Sequence, residues 1–387
     1  MRLASRMQRL GTETAFVVLA KAKALEAQGR DIVHLEIGEP DFDTPTHIIE
    51  AAVTALYKGY THYGASAGLT EFRAVIAEQA GKERGLTFTP DQVVVTPGAK
   101  PIMFYVIMAL VGEGDEAIYP NPGFPIYESM INFMGGKAVP IPLREENDFR
   151  LDVRELESLI TPRTRLLIVN SPQNPTGGVL PHADLEAIAR LAVKHDIPVL
   201  TDEVYKHFIY EGAFSSILTF PSMPERTILL DGHSKTYAMT GWRLGYGIMP
   251  LDLAKQVATL QTNAVSCTST FTQRAGMAAL TGPQDSVKIM VNEFKRRRDL
   301  IVKGLNSIKG IRCREPKGAF YVFPNITGTG KDSRFMADYL LNEGGVAVLA
   351  GTAFGEYGEG FLRLSYANSY ANLEKALDRI ATAIAKL

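Results

Sequence analysis

From about residue 92 onward the chain repeats one pattern: a short run of β-branched or apolar residues, then a segment long enough for a helix. Strands are expected at 92–96, 116–119, 166–170, 198–201, 227–231 and 245–248, with helices at 100–111, 153–160 and 183–195 between them. These strands are apolar almost throughout, so both of their faces must be covered. Helix-length connections return each strand parallel to its neighbour. The pattern predicts an α/β fold: a mainly parallel sheet flanked by helices, with ligands held beyond the carboxyl ends of its strands.

The flanking sequence behaves differently. Residues 12–29 predict an amphipathic helix ended by Gly29, and 32–36 a short strand running into Gly38-Glu39-Pro40-Asp41-Phe42. Helices are expected at 46–58 and 69–84. Beyond Ser286 a long helix reaches about Ile308 and carries Lys295-Arg296-Arg297-Arg298, which reads as a solvated helix face. Strands at 320–323, 346–349 and 361–365, with helices at 334–342 and 373–387, predict a smaller α+β unit. No repeat and no Pro/Ser-rich linker divides the 387 residues. Two domains are therefore expected, a large one over 46–285 and a small one assembled from 1–45 and 286–387.

Charge narrows the function. With 41 Lys+Arg against 42 Asp+Glu, the net charge of −1 lacks the excess that nucleic-acid or polybasic membrane binding requires. No apolar run approaches the ~18 residues of a membrane span, and residues 1–10 have no signal-peptide core. Cys267 and Cys313 show no CxxC spacing. They read as buried free thiols of a cytoplasmic protein.

The most informative stretch runs from Asp231 to Gly245. It follows a strand and combines small residues with Lys235 and Arg243. Ser234 and Arg243 can bind phosphate oxygens. A lysine beside a phosphate ester and an aldehyde can form a Schiff base once its pKa falls. Asp202 ends another strand, where a carboxylate can ligate a metal, cap a helix or keep a pyridine nitrogen protonated. Tyr205 and Asn174 can donate to the phenolate oxygen of the same ring. Gly98, Ala99 and Lys100 lie where a strand runs into a helix, and helix N-termini attract anions. The spacing is not that of a Walker loop, and no GxGxxG fingerprint follows a strand. Phe124 can stack on a planar ring. Arg363 sits inside an apolar strand pattern, where it must be paired, and a bidentate carboxylate ligand suits its fork.

With these motifs in order, the chain resembles the fold-type-I, pyridoxal-phosphate-dependent aminotransferases of class I, from Ile37-Gly38-Glu39-Pro40-Asp41-Phe42 through Phe361-Leu362-Arg363-Leu364-Ser365. It is most similar to the bacterial aspartate-aminotransferase-like branch. The resemblance implies that Lys235 forms the Schiff base and moves the reacting proton, that Asp202 holds the ring N–H, and that Tyr205 and Asn174 bond the phenolate oxygen. Gly98, Ala99, Lys100, Ser234 and Arg243 would surround the phosphate. Tyr63 would reach the phosphate of a neighbouring subunit's cofactor, which implies a homodimer. Arg363 would clamp the substrate α-carboxylate, helped by Asn174 and Gly38. Phe124 stands where that branch usually has tryptophan, Ala99 where serine is frequent, and Lys100 near the distal carboxylate of a dicarboxylic substrate. The implied reaction moves an amino group from an aspartate-like amino acid to a 2-oxo acid such as 2-oxoglutarate by a ping-pong mechanism. The same scaffold also supports lyase or synthase chemistry and, less often, non-catalytic ligand binding.

Overall fold

A computed structural model describes every residue from Met1 to Leu387. Its strands are β1 (Val33–His34), β2 (Val93–Thr96), β3 (Glu116–Asn121), β4 (Lys137–Pro142), β5 (Thr164–Asn170), β6 (Val199–Asp202), β7 (Thr227–Gly232), β8 (Gly245–Ile248), β9 (Tyr321–Val322), β10 (Val346–Ala347), β11 (Leu349–Ala350) and β12 (Leu362–Ser365). Seven form one sheet in the order β2-β8-β7-β6-β5-β3-β4. All run parallel except β8, which is antiparallel to both neighbours. Along each strand alternate residues feed opposite cores. Leu166, Ile168, Leu200 and Ile228 pack under the helices Lys100–Leu110, Ile126–Phe133 and Leu251–Val265, whereas Leu167, Val169 and Val199 pack toward His182–Lys194. Burial on both faces is what the unbroken apolar runs predict.

The strand β4 carries Pro140 and Pro142, residues that read as turn formers. It lies at the sheet edge, where a missing N–H costs no ladder bond. No strand was expected at β4; the expected elements are present with ends shifted by a few residues, except that 346–349 divides. β10 pairs parallel with β1, while β11 joins β12 and β9 in an antiparallel sheet.

A second core unites distant parts of the chain. Val33 and Leu35 pack there with Phe294, Ile301, Leu340, Leu364, Leu373 and Ile380. The solvated-face reading of the basic run is wrong for two of its four residues. Arg297 and Arg298 are buried, because they share the helical face of Met290, Phe294, Ile301 and Leu305 within Asp285–Asn306. Their stems cover the core while their heads find partners. Arg297 pairs with Asp41 at 2.6 Å and Glu293 at 2.8 Å, and Arg298 with Asp299 at 2.8 Å. Cys313 is buried as expected, but Cys267 is only half-buried. No helix is long and apolar enough to cross a membrane.

Candidate active site

Parallel strands end on the same side of a sheet, and here they bring chemistry to one rim. Asn170 and Asp202, the last residues of β5 and β6, are register partners. Next to them the chain leaves β7 through Gly232 into His233-Ser234-Lys235. A cavity of about 680 Å³ opens there. The large sheet and its loops supply Asn174, Asp202, Tyr205, Ser234, Lys235 and Arg243. Ala99, Lys100 and Phe124 form another wall, and Gly38 and Arg363 reach in from the second core.

Three buried charges in this cavity, Lys235, Asp202 and Arg363, lack a counter-ion. Lys235 Nζ donates to the Gly38 carbonyl oxygen at 2.6 Å, and no carboxylate pairs with it. Burial lowers its pKa to about 8. Asp202 accepts from the Tyr127 hydroxyl at 2.6 Å and from the Val204 N–H at 3.4 Å. Burial, with Asp231 and Glu203 adding to it, raises its pKa to about 6. Arg363 is buried, and its Nη2 donates to the Glu36 carbonyl oxygen. Its guanidinium carbon lies 4.7 Å from the Tyr321 ring centroid and 5.1 Å from that of Phe354. The Nε of Arg363 is buried without a partner, as is Asn174 Oδ1. Burial pushes the Arg363 pKa down, as expected of a cation with no counter-ion.

The remaining candidates occupy varied positions. The Tyr205 hydroxyl is bonded to that of Tyr321 at 2.7 Å, and burial raises its pKa well above the usual tyrosine value. Arg243 adopts φ +53° and donates from Nη1 to the Thr240 carbonyl at 2.8 Å, with no carboxylate partner. Gly98 has φ +85°, and a Cβ there would lie 2.4 Å from Arg243 Nη2, so only glycine lets the turn and the guanidinium lie together. Lys100 lines the cavity but is ion-paired with Glu13, its ammonium 5.4 Å from the Phe124 ring centroid. Gly38 contacts Lys235 through its carbonyl oxygen rather than its N–H. Tyr63 is 88% exposed and does not line the cavity of this chain.

Glu13, Tyr127 and Tyr321 belong to the cavity's chemistry and escaped the sequence reading. Tyr321 had one local mark, a hydroxyl in an apolar strand. Tyr127 and Glu13 lie on or beside helices whose local pattern is ordinary, and only the tertiary fold brings them here.

Residues 30–380 match the family model for aminotransferase class I and II. The chain is 44% identical to aromatic-amino-acid aminotransferase 2 of Thermococcus litoralis over 92% of each chain. It is 45% identical to the aspartate aminotransferase of Pyrococcus abyssi over 91% of each. The solved aspartate aminotransferase from Thermus thermophilus with maleate superposes with a TM-score of 0.95 at 41% identity, covering 99% of this chain and 100% of that one.

The chain belongs to the class I and II aminotransferases.

Aminotransferases of this family transfer amino groups between amino acids and 2-oxo acids with pyridoxal phosphate as cofactor, and this enzyme has their fold. Its residues fit that planar, anionic aldehyde. The cavity offers an amine without a carboxylate partner, a buried carboxylate whose pKa burial raises, and Arg243 without a carboxylate partner.

Proposed function

We propose that this aminotransferase takes the amino group from an L-amino acid of aspartate-like type, with breadth toward other side chains, and passes it to a 2-oxo acid such as 2-oxoglutarate. The observation that carries this reading is the buried Lys235 amine, bonded to the Gly38 carbonyl oxygen with no carboxylate partner, in the same cavity as Asp202 and Arg363. When bound, pyridoxal phosphate supplies the aldehyde that takes up the amino group and the ring that accepts the electron pair released at the substrate's α-carbon.

The chain's own groups do the rest. Lys235, its amine made easier to deprotonate by burial, would take the α-proton and return it. Asp202 would hold a proton on the ring nitrogen, gaining the positive partner it lacks. Tyr205 and Asn174 would bond the ring's phenolate oxygen, and Phe124 would cover one face of the ring. The Gly98-Ala99-Lys100 turn, Ser234 and Arg243 would hold the phosphate. Arg363 would fix the substrate α-carboxylate with Asn174 and Gly38 and so orient the C–H bond for proton transfer. Lys100 would face the distal carboxylate of a dicarboxylic donor. The full site needs a homodimer in which Tyr63 reaches the partner's phosphate. Residues 46–285 serve as the cofactor domain, with 1–45 and 286–387 as the small domain, in a cytoplasmic enzyme with no nucleic-acid or membrane partner.

A panel of L-amino acids offered against 2-oxoglutarate and pyruvate tests the reading. The expected result is stoichiometric formation of a new amino acid, fastest with aspartate or a similar donor. Ammonia release without consumption of the 2-oxo acid would reject it.

A further inference from the structure

Glu13 stands at the cap position of the helix Thr14–Glu26, where a side-chain oxygen can accept a hydrogen bond from the first turn. It makes no such bond. Its carboxylate pairs instead with Lys100, far along the chain at the start of the helix Lys100–Leu110. Both line the cavity, and their side chains keep 19% and 42% of their exposure. The Phe124 ring centroid lies 5.4 Å from the Lys100 ammonium, and Phe16 and Met103 also line the cavity.

Resting on the reading of this cavity as an amino-acid site, we propose that Glu13 is a specificity-determining residue. Its carboxylate occupies on Lys100 the place that the distal carboxylate of a dicarboxylic substrate needs. An aromatic or other uncharged side chain leaves the pair intact and lies against those apolar side chains, so Lys100 is never stranded without a counter-ion. A dicarboxylate must displace Glu13, which then moves into water. With the Lys100 side chain at the mouth and 42% exposed, the pair is weak enough to be exchanged. One cavity thereby takes two chemical classes of donor, with the dicarboxylic class bearing a penalty set by Glu13.

The test uses the pyridoxal-phosphate-loaded enzyme with Glu13→Gln, Lys100→Met and the double variant. Calorimetry gives the dissociation constant of maleate, and kinetics give kcat/KM for aspartate and phenylalanine. Glu13→Gln is expected to tighten maleate by about three- to tenfold and to shift the aspartate-to-phenylalanine ratio toward aspartate by a similar factor. In the Lys100→Met background the same change should do neither. Unchanged maleate affinity in Glu13→Gln overturns the proposal, and so does an equal gain without Lys100, which would mark a general field effect. If the native enzyme turns over neither donor, the amino-acid reading itself falls and takes this one with it. Turnover of both with a silent Glu13→Gln rejects this proposal alone.

Discussion

Asp202 and Glu203 are consecutive residues at the end of β6, and both carboxylates are buried. Asp202 faces the cavity with only hydroxyl and amide donors around it. Glu203 faces away and holds Arg84 at 2.6 Å, with Ser216 donating to it at 2.6 Å. The lysines repeat the contrast. Lys206 lies 2.8 Å from Asp231 and 2.6 Å from Glu83, whereas Lys235 has a carbonyl oxygen alone. Burial acts to lower both lysine pKa values. At Lys206 the carboxylates outweigh it and the value rises, while at Lys235 burial wins and the value falls to about 8. For Asp231 burial is overcome by Lys206 and Arg84, which bring its pKa down, and Asp202 goes the other way to about 6. One side of these strands thus buries charges in pairs that hold the fold together. The other side keeps Lys235, Asp202 and Arg363 without a counter-ion, open for a ligand to complete.

Four measurements separate the two sides. Lys235→Ala should lose transamination by a factor of about 10⁴ or more and lose the visible absorbance of the lysine-bound cofactor. Retention of both in a spectrophotometric assay would mean that the unpaired amine is not the reacting one. Arg84→Met strands Glu203 and should cost about 3–5 kcal/mol of stability in denaturant titration, with kcat of the folded enzyme little changed. A large fall in kcat at unchanged stability would erase the distinction between the two sides. Asp202→Asn should lower kcat by about 10²–10³-fold while the folding midpoint stays near that of the native protein. The smallest effect is one of pH. In cofactor-free enzyme Lys235 is protonated below about 8 and free above it. Its labelling by an amine reagent, followed by mass spectrometry, should rise through that value, while Lys206 stays inert.

The same depression makes the unfolded chain bind more protons than the native one between about 8 and the ordinary lysine value of 10.5. Native stability should therefore rise across that window relative to Lys235→Met. The raised Lys206 behaves oppositely, its contribution being full below the ordinary lysine value and lost as pH climbs through its folded value.

The paired side was the part hardest to see in the sequence. The large sheet was legible because strands buried on both faces leave uninterrupted apolar runs, and Lys235, Asp202 and Arg363 stood out as charged residues at strand ends or inside one. Arg84, Glu83 and Lys206 look like ordinary surface residues. The burial of Arg84 and Lys206 depends on packing across distances that no local pattern encodes. The misread Arg297 and Arg298 belong to the same class, since four basic residues in a row suggest water until the helical phase of Phe294 and Ile301 is followed. Glu13 was invisible for a related reason: its meaning lies in Lys100, a contact made only after folding.

The pairing of β1 with β10, and the contact of Arg363 with the Glu36 carbonyl, have a consequence for biosynthesis. On the ribosome the earliest strand emerges with nothing to pair against and waits until the segment around Val346 has been made. The seven-stranded sheet can assemble during that wait, with Lys235 and Asp202 already at its rim. On the proposed roles of Lys235 and Arg363, a nascent molecule would own its amine before it could grip a carboxylate, and recognition would be the last capability to arrive.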